Sequence, residues 1–207
     1  GGYKPVPDYK VAKAGNEDYY WGMGLTAEAV ANQFNVSRED QDEFAYNSHQ
    51  KALKAQEEDR FKEQIVPIDV EHTFVNGAGK KETKTYTVSK DEGPRADTKL
   101  EILAKLRPVF AEGGSVTAGN SSQMSDGASF LLVVSEKMLK KIKMEPIAKL
   151  TNYSVAGLPP KIMGMGPVKA IPKVLKQSGL KINDIELIEL NEAFASQSIA
   201  VINELNL

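Results

Sequence analysis

From residue 129 onward the chain alternates short apolar runs with stretches of helical length, and few folds accommodate that order. Phe130-Leu131-Leu132-Val133-Val134 is a continuous apolar run of buried-strand length, and a basic helix over 137–143 follows it. A second strand is expected over 146–155. Pro167, suited to a first helical position, then opens a helix to about Ser178. A third strand over 185–190 leads into a final helix expected to begin at Glu192. Strand, helix, strand, helix joined by right-handed crossovers makes a layered α/β fold with at least partly parallel pairing.

The residues before this alternation follow another pattern. Residues 1–22 are rich in Gly, Pro, Asp and Asn and read as loop. Thr26 is the expected N-cap of a first helix, and Ser37 with Asp40 resembles a capping box opening a long helix to about Glu58. Phe44, Ser48, Ala52 and Ala55 share one stripe of that helix. Glu39, Asp42, Lys54, Glu57 and Glu58 make its charged face, expected to be solvated. Two β-rich runs, 64–70 and 84–88, joined through Asn76-Gly77-Ala78-Gly79, predict a two-stranded excursion. A short helix over 100–106 precedes a stretch of small residues from Gly113 to Gly127. The first hundred or so residues thus read as a helical and hairpin insertion.

Composition removes several function classes. Lys and Arg number 26 against 28 Asp and Glu, a net charge of −2, so no basic excess argues for nucleic acid. No apolar run reaches the roughly 20 residues that cross a bilayer, and the N-terminus has no signal-peptide core, so a cytoplasmic or organelle-matrix protein is expected. Cysteine is absent, which excludes disulfides, thiolate metal sites and cysteine nucleophiles within these residues. The chain opens on Gly-Gly and its last helix is expected to stop without a Gly or Asn cap, so both ends read as cut.

Several apparent motifs fail on context. Asn76-Gly77-Ala78-Gly79-Lys80-Lys81 lacks the spacing and following helix of a phosphate loop. Gly164-Met165-Gly166-Pro167 begins like a dinucleotide fingerprint, but Lys169 stands where the third glycine belongs. That approach to a helix N-terminus serves either a ligand oxygen or close strand-to-helix packing. His49 and His72 have no partner at metal spacing and read as structural or solvated, and no metal site is expected. Ser178-Gly179-Leu180-Lys181 matches Ser-x-x-Lys by letter only, and Lys137, Lys140, Lys141 and Lys143 read as a solvated face.

Two places remain. Thr117-Ala118-Gly119-Asn120-Ser121-Ser122-Gln123-Met124-Ser125-Asp126-Gly127 combines close backbone approach with uncharged hydrogen-bonding groups, which suits a long neutral ligand arm. Asn191-Glu192-Ala193-Phe194 lies at the carboxyl end of an apolar run, where α/β sheets collect ligands. The Asn191 amide there is either a neutral donor to a developing oxyanion or the N-cap of the last helix.

Asn191-Glu192-Ala193-Phe194, residues 160–167, residues 117–128, Met23-Gly24-Leu25-Thr26-Ala27-Glu28, residues 37–45 and Ala104-Lys105-Leu106-Arg107-Pro108 together closely resemble the thiolases, in order along essentially the whole chain. The resemblance implies an acyl-CoA acyltransferase on two layered α/β/α halves with an inserted loop domain. Residues 1–112 then correspond to the loop domain, 113–146 to the end of the N-terminal half and 147–207 to the start of the C-terminal half. It implies that Asn191 holds a water in the oxyanion hole and that Ala118 and Ser122 lie along the pantetheine arm. It puts Met163, Ala193 and Phe194 near the acyl group, and Met23, Arg95, Leu106 and Phe110 among the substrate and CoA contacts.

Gly22 stands where short-chain biosynthetic thiolases carry a histidine. With the variants at 92–95 and 121–125, it resembles the degradative 3-ketoacyl-CoA branch. Coenzyme A and 3-ketoacyl-CoA are the implied ligands, with CoA a substrate and no separate cofactor. A homodimer or homotetramer, with a multifunctional β-oxidation partner, is the implied assembly. The family's nucleophilic cysteine, Gly-His-Pro histidine and Cys-x-Gly-Gly-Gly cysteine are all missing from these residues. The expectation is therefore an inactive central fragment of a degradative thiolase. The alternative is a non-catalytic, thiolase-derived CoA-binding or dimerisation module.

Overall fold

The computed structural model describes residues 7–125 and 128–207. Residues 1–6, and Asp126 and Gly127 of the small-residue stretch, lie outside the described residues. Residues 9–20, expected as loop, form consecutive short helical turns, Tyr9–Val11, Ala12–Asn16 and Glu17–Tyr20. Helix α1 (Met23–Gln33) begins earlier than expected, with Gly22 at the cap position. Thr26 is not the N-cap: it lies inside the helix, where its hydroxyl donates to the Met23 carbonyl at 2.8 Å. A helical threonine can satisfy its hydroxyl on the preceding turn, so the residue type alone does not mark a helix start.

Helix α2 (Arg38–Glu57) follows the Ser37 signal closely. Asp40 N–H donates to Ser37 Oγ at 3.0 Å and Ser37 N–H to Asp40 Oδ2 at 3.2 Å, so the capping box is reciprocal. Strands β1 (Ile68–Val75) and β2 (Lys81–Val88) pair antiparallel from Ile68↔Val88 to Val75↔Lys81. The hairpin is as expected, but β1 starts and ends later in the sequence. Asn76 closes the turn by accepting from the N–H groups of Ala78 and Lys80, and Gly79 supplies the left-handed φ of +74°.

Four further α-helices follow among the described residues: α3 (Leu100–Leu103), α4 (Glu136–Ile142), α5 (Gly166–Ser178) and α6 (Ala195–Leu205). Asn206, in the left-handed region at φ +54°, terminates α6, so the expected uncapped end is incorrect. Among the described residues the sheet is β1 and β2 alone. The runs 130–134, 146–155 and 185–190, expected as strands, belong to no ladder, and Phe130 is 97% and Leu131 88% exposed. A core strand is held by hydrogen-bonded neighbours on its edges, and among the described residues none pairs with these runs, although Leu190 packs on the core and Ser154 donates to the Ala170 carbonyl of α5.

The core joins distant parts of the sequence. Val30, Val36, Met165, Ala200 and Val201 are buried together, with Phe34, Leu158, Ile162, Val168 and Leu205 against them. This seats α1 on α6 and on the 3-10 helix Pro160–Met165, and Ser196 Oγ donates to the Ala27 carbonyl at 3.1 Å across the contact. The opposite face of α1 carries Glu28, which is 5% exposed. Its carboxylate accepts from the N–H groups of Ser115, at 2.9 and 3.0 Å, and Val116, at 2.8 Å. Ser115 Oγ adds a further bond at 3.2 Å. The start of the small-residue stretch is thereby fastened to α1. Replacing Glu28 by Ala leaves these buried donors without a partner and is expected to cost on the order of 3 kcal/mol, read as a fall in the urea midpoint.

Candidate active-site cleft

A cleft of about 970 Å³ opens between α2, the segment 93–106, the segment 118–125 and the turn before α6. One side is the α2 stripe: Phe44, Ser48 and Ala52 line the cleft, together with His49. Their i, i+4 spacing was legible in the sequence. The small size of Ser48 and Ala52 leaves open space against the opposing segment instead of a packed seam.

The opposing walls have two characters. Leu103 and Leu106 are apolar, and Gly119 lies close beneath them: a Cβ there would stand 2.5 Å from Leu106 Cδ1 and 2.6 Å from Leu103 Cδ2. Ala118, Ser121, Ser122 and Ser125 add small and hydroxylic surface. Arg95 supplies a cation, paired bidentately with Asp97 through Nη2–Oδ2 at 2.9 Å and Nε–Oδ1 at 3.2 Å. His49, expected to be structural or solvated, reaches the same place and accepts from Arg95 N–H through Nδ1 at 3.2 Å.

The two sequence motifs singled out for chemistry meet along their main chains. Ser122 N–H donates to the Ala193 carbonyl and Ala195 N–H to the Asn120 carbonyl, each at 3.0 Å, and Ser121 bridges Phe194. Asn191 and Glu192 are thereby held at the cleft wall. Phe194, not Asn191, occupies the cap position of α6, so the reading of Asn191 as an N-cap is overturned. Glu192 also precedes the helix, and it accepts from Ser48 Oγ at 2.6 Å.

Of the residues predicted for the site, Arg95, Leu106, Ala118, Ser122 and Asn191 line this one cleft. Phe110, Ala193 and Phe194 lie outside its lining but beside it: Ala193 through Ser122, and Phe110 edge-on to Phe194 with ring centroids 6.0 Å apart. Met23 and Met163 are exposed and lie outside the lining. Sequence reasoning missed Asp42. It is buried, 4% exposed, and bonds Arg38 and Asn120 instead of facing solvent with the other charges of α2. An Arg at i−4 was the available signal.

The arrangement can hold a long, largely uncharged ligand on small and hydroxylic walls, with a guanidinium at one place and a neutral amide donor at another. The sequence matches the family described as thiolase, N-terminal domain, over residues 11–137 and thiolase, C-terminal domain, over residues 144–207. The chain belongs to the thiolase family.

Among its relatives is a 3-ketoacyl-CoA thiolase of Bacillus subtilis (strain 168), 48% identical over 206 residues, covering 100% of this chain and 52% of that protein. The peroxisomal 3-ketoacyl-CoA thiolase B of Mus musculus is 47% identical over 185 residues, covering 89% of this chain and 43% of that protein. The chain therefore spans about half the length of these thiolases. Its fold is part of the thiolase fold. The dimeric peroxisomal thiolase of Saccharomyces cerevisiae superposes with a TM-score of 0.84 at 38% identity, over 98% of this chain and 49% of that one. Human mitochondrial 3-ketoacyl-CoA thiolase in complex with CoA gives 0.80 at 40% identity, over 92% and 45%.

Asp97 provides a test of the cation's environment. The hydrogen bonds from Arg95, and then its charge, hold the Asp97 carboxyl below the ordinary aspartate range. A lowered folded value means that the pair is fully formed above the ordinary aspartate pKa, about 3.9, and is lost as pH falls through the folded value. A carbon-detected NMR titration is expected to find the Asp97 midpoint below about 3.9 and to see it rise in Arg95→Met.

Proposed function

We propose that this chain forms part of a degradative thiolase that cleaves 3-ketoacyl-CoA with coenzyme A, giving acetyl-CoA and a shortened acyl-CoA. The observation that carries the reading is the convergence of Arg95, Leu106, Ala118, Ser122 and Asn191 on one cleft from separate parts of the sequence. Gly22 ahead of Met23-Gly24 supports the degradative branch.

In the proposed reaction, a thiolate adds to the 3-keto carbon and the bond between C2 and C3 breaks. The electron pair passes into the acetyl-CoA enolate, which takes a proton at C2. CoA then displaces the shortened acyl group from the enzyme thiol. Asn191, through a held water, stabilises the enolate oxygen as a neutral donor whose protonation state does not change with working pH. Ala118 and Ser122 flank the pantetheine arm; Met163, Ala193 and Phe194 face the acyl group; Met23, Arg95, Leu106 and Phe110 contact substrate and CoA.

These 207 residues contain no cysteine, so the attacking thiol and the acid and base cysteine and histidine belong, in this proposal, to a longer polypeptide. The run 130–134, with Phe130 to Val133 exposed, supports that reading, because buried strands of a parallel α/β layer are continuous apolar runs. Residues 1–112 act as the loop domain, 113–146 as the end of one half and 147–207 as the start of the other. The proposed setting is fatty-acid β-oxidation in the cytoplasm or an organelle matrix, as a homodimer or homotetramer with a multifunctional partner. No cofactor beyond the substrate CoA takes part.

The assay is CoA-dependent loss of acetoacetyl-CoA and of a longer 3-ketoacyl-CoA. Turnover is expected from the longer protein that carries this segment and none from the 207 residues alone. CoA binding without turnover in the longer protein would favour the alternative, a non-catalytic CoA-binding or dimerisation module, which the missing cysteines also fit. Within the active protein, Asn191→Ala is expected to lower kcat about tenfold to a thousandfold with CoA affinity nearly intact. Weakened CoA binding at unchanged turnover would make Asn191 a ligand contact only.

A further inference from the structure

The carboxylate of Asp42 lies beneath the cleft, and its two oxygens lead to different walls. Oδ2 accepts from Arg38 Nε at 2.8 Å, and Arg38 Nη2 donates onward to the carbonyls of Leu103 and Leu106 at 2.6 and 3.1 Å. Oδ1 accepts from Asn120 Nδ2 at 3.0 Å. Asn120 is itself buried; its Nδ2 also donates to the Ser115 carbonyl at 3.1 Å, and its Oδ1 accepts from Thr117 N–H at 2.7 Å. The main-chain carbonyl of the same residue accepts from Ala195 N–H, the first residue of α6. The Leu103–Leu106 wall and the turn carrying Asn191 are therefore both fixed to one buried carboxylate.

We propose that Asp42 is a positioning residue: through Arg38 it sets the apolar wall, and through Asn120 it sets the turn that presents Asn191. Both groups that face the carboxylate are donors, and each of its two oxygens accepts from one of them. Burial makes the arrangement selective, since an unpaired group there loses its solvation without replacement. The side-chain bond from Ser48 to Glu192 is at the surface, where water can substitute for either partner, and the Ser122 to Ala193 bond joins main chain only.

The kinetic arm of the test rests on the thiolase reading, and the second arm does not. In the longer active protein, Asn120→Asp sets two carboxylates against each other, and Asp42→Asn presents one acceptor to two donors. Each is expected to lower kcat about tenfold, with the KM for CoA within about twofold for Asn120→Asp, because that arm leads to the Asn191 turn. The exchanged pair, Asp42→Asn with Asn120→Asp, restores a donor and acceptor between the positions with the direction reversed. It is expected to recover part of the loss, because the Ser115 carbonyl that the Asn120 amide served then has no donor. Ser37→Ala, which removes only the α2 cap, is expected to lower the thermal midpoint without changing kcat.

Losses that multiply in the exchanged pair, or that Ser37→Ala reproduces at equal destabilisation, overturn the proposal. Should Asn120→Asp fail to fold, recovery of folding by the added Asp42→Asn supports it and lack of recovery counts against it. Amide exchange at Ser122 and Ala195 reads the same tie without catalysis. Faster exchange in Asn120→Asp, slowed again in the exchanged pair, supports the tie even if no thiolysis is seen, in which case the thiolase reading alone fails. Unchanged exchange in all variants overturns the tie itself.

Discussion

Two main-chain hydrogen bonds, from Ser122 N–H to the Ala193 carbonyl and from Ala195 N–H to the Asn120 carbonyl, hold the site together. They join a segment of small residues to the turn before a helix, although the two are far apart in sequence. Backbone bonds do this where side-chain contacts alone do not, because they fix the direction of both strands and therefore the side on which each residue emerges. Ser122 and Asn191 reach one cleft as a result. Glu28 supports the same segment from below by gathering the N–H groups of Ser115 and Val116 onto α1. The joint is thus built from groups that cannot ionise, resting on a carboxylate that is itself fully engaged.

The electrostatics of the cleft follow from where each charge can keep its partners. Arg95 and Asp97 pair at the surface, where water shares the work and the pair shapes the local field more than it stabilises the fold. Arg38, Asp42 and Glu28 are more deeply placed and satisfied by several donors or acceptors each. Asp97 takes the Nε and one Nη2 donor of Arg95, so an anion arriving there would meet the remaining N–H groups of a guanidinium whose charge is already partly neutralised.

Local rules made much of this legible. The Ser37 box, the Asn76 turn and the Pro167 start depend on neighbours within a few residues, and each was where the sequence put it or close by. Five of the expected site residues share the cleft because family motifs in register carry tertiary information that periodicity lacks. Asp42 was misread for the opposite reason. Helical spacing puts it among Glu39, Lys54 and Glu57, and only the approach of Asn120 from a distant segment makes it a buried acceptor. Thr26 shows the same limit at shorter range, since a threonine hydroxyl serves equally at a cap or against the preceding turn. The expected strands at 130–134, 146–155 and 185–190 are a question of partners: composition marks a segment as fit for a sheet, but pairing needs a second strand.

The bare run Phe130-Leu131-Leu132-Val133-Val134 has a consequence for handling the protein. It contains neither charge nor proline to interrupt it, and its backbone donors and acceptors are in no ladder among the described residues. Such a stretch is as ready to stack on a copy of itself as on a neighbouring strand. For these 207 residues held in isolation, concentration becomes a structural variable, because an exposed segment of this composition is of the kind that pairs with copies of itself as chains are crowded together.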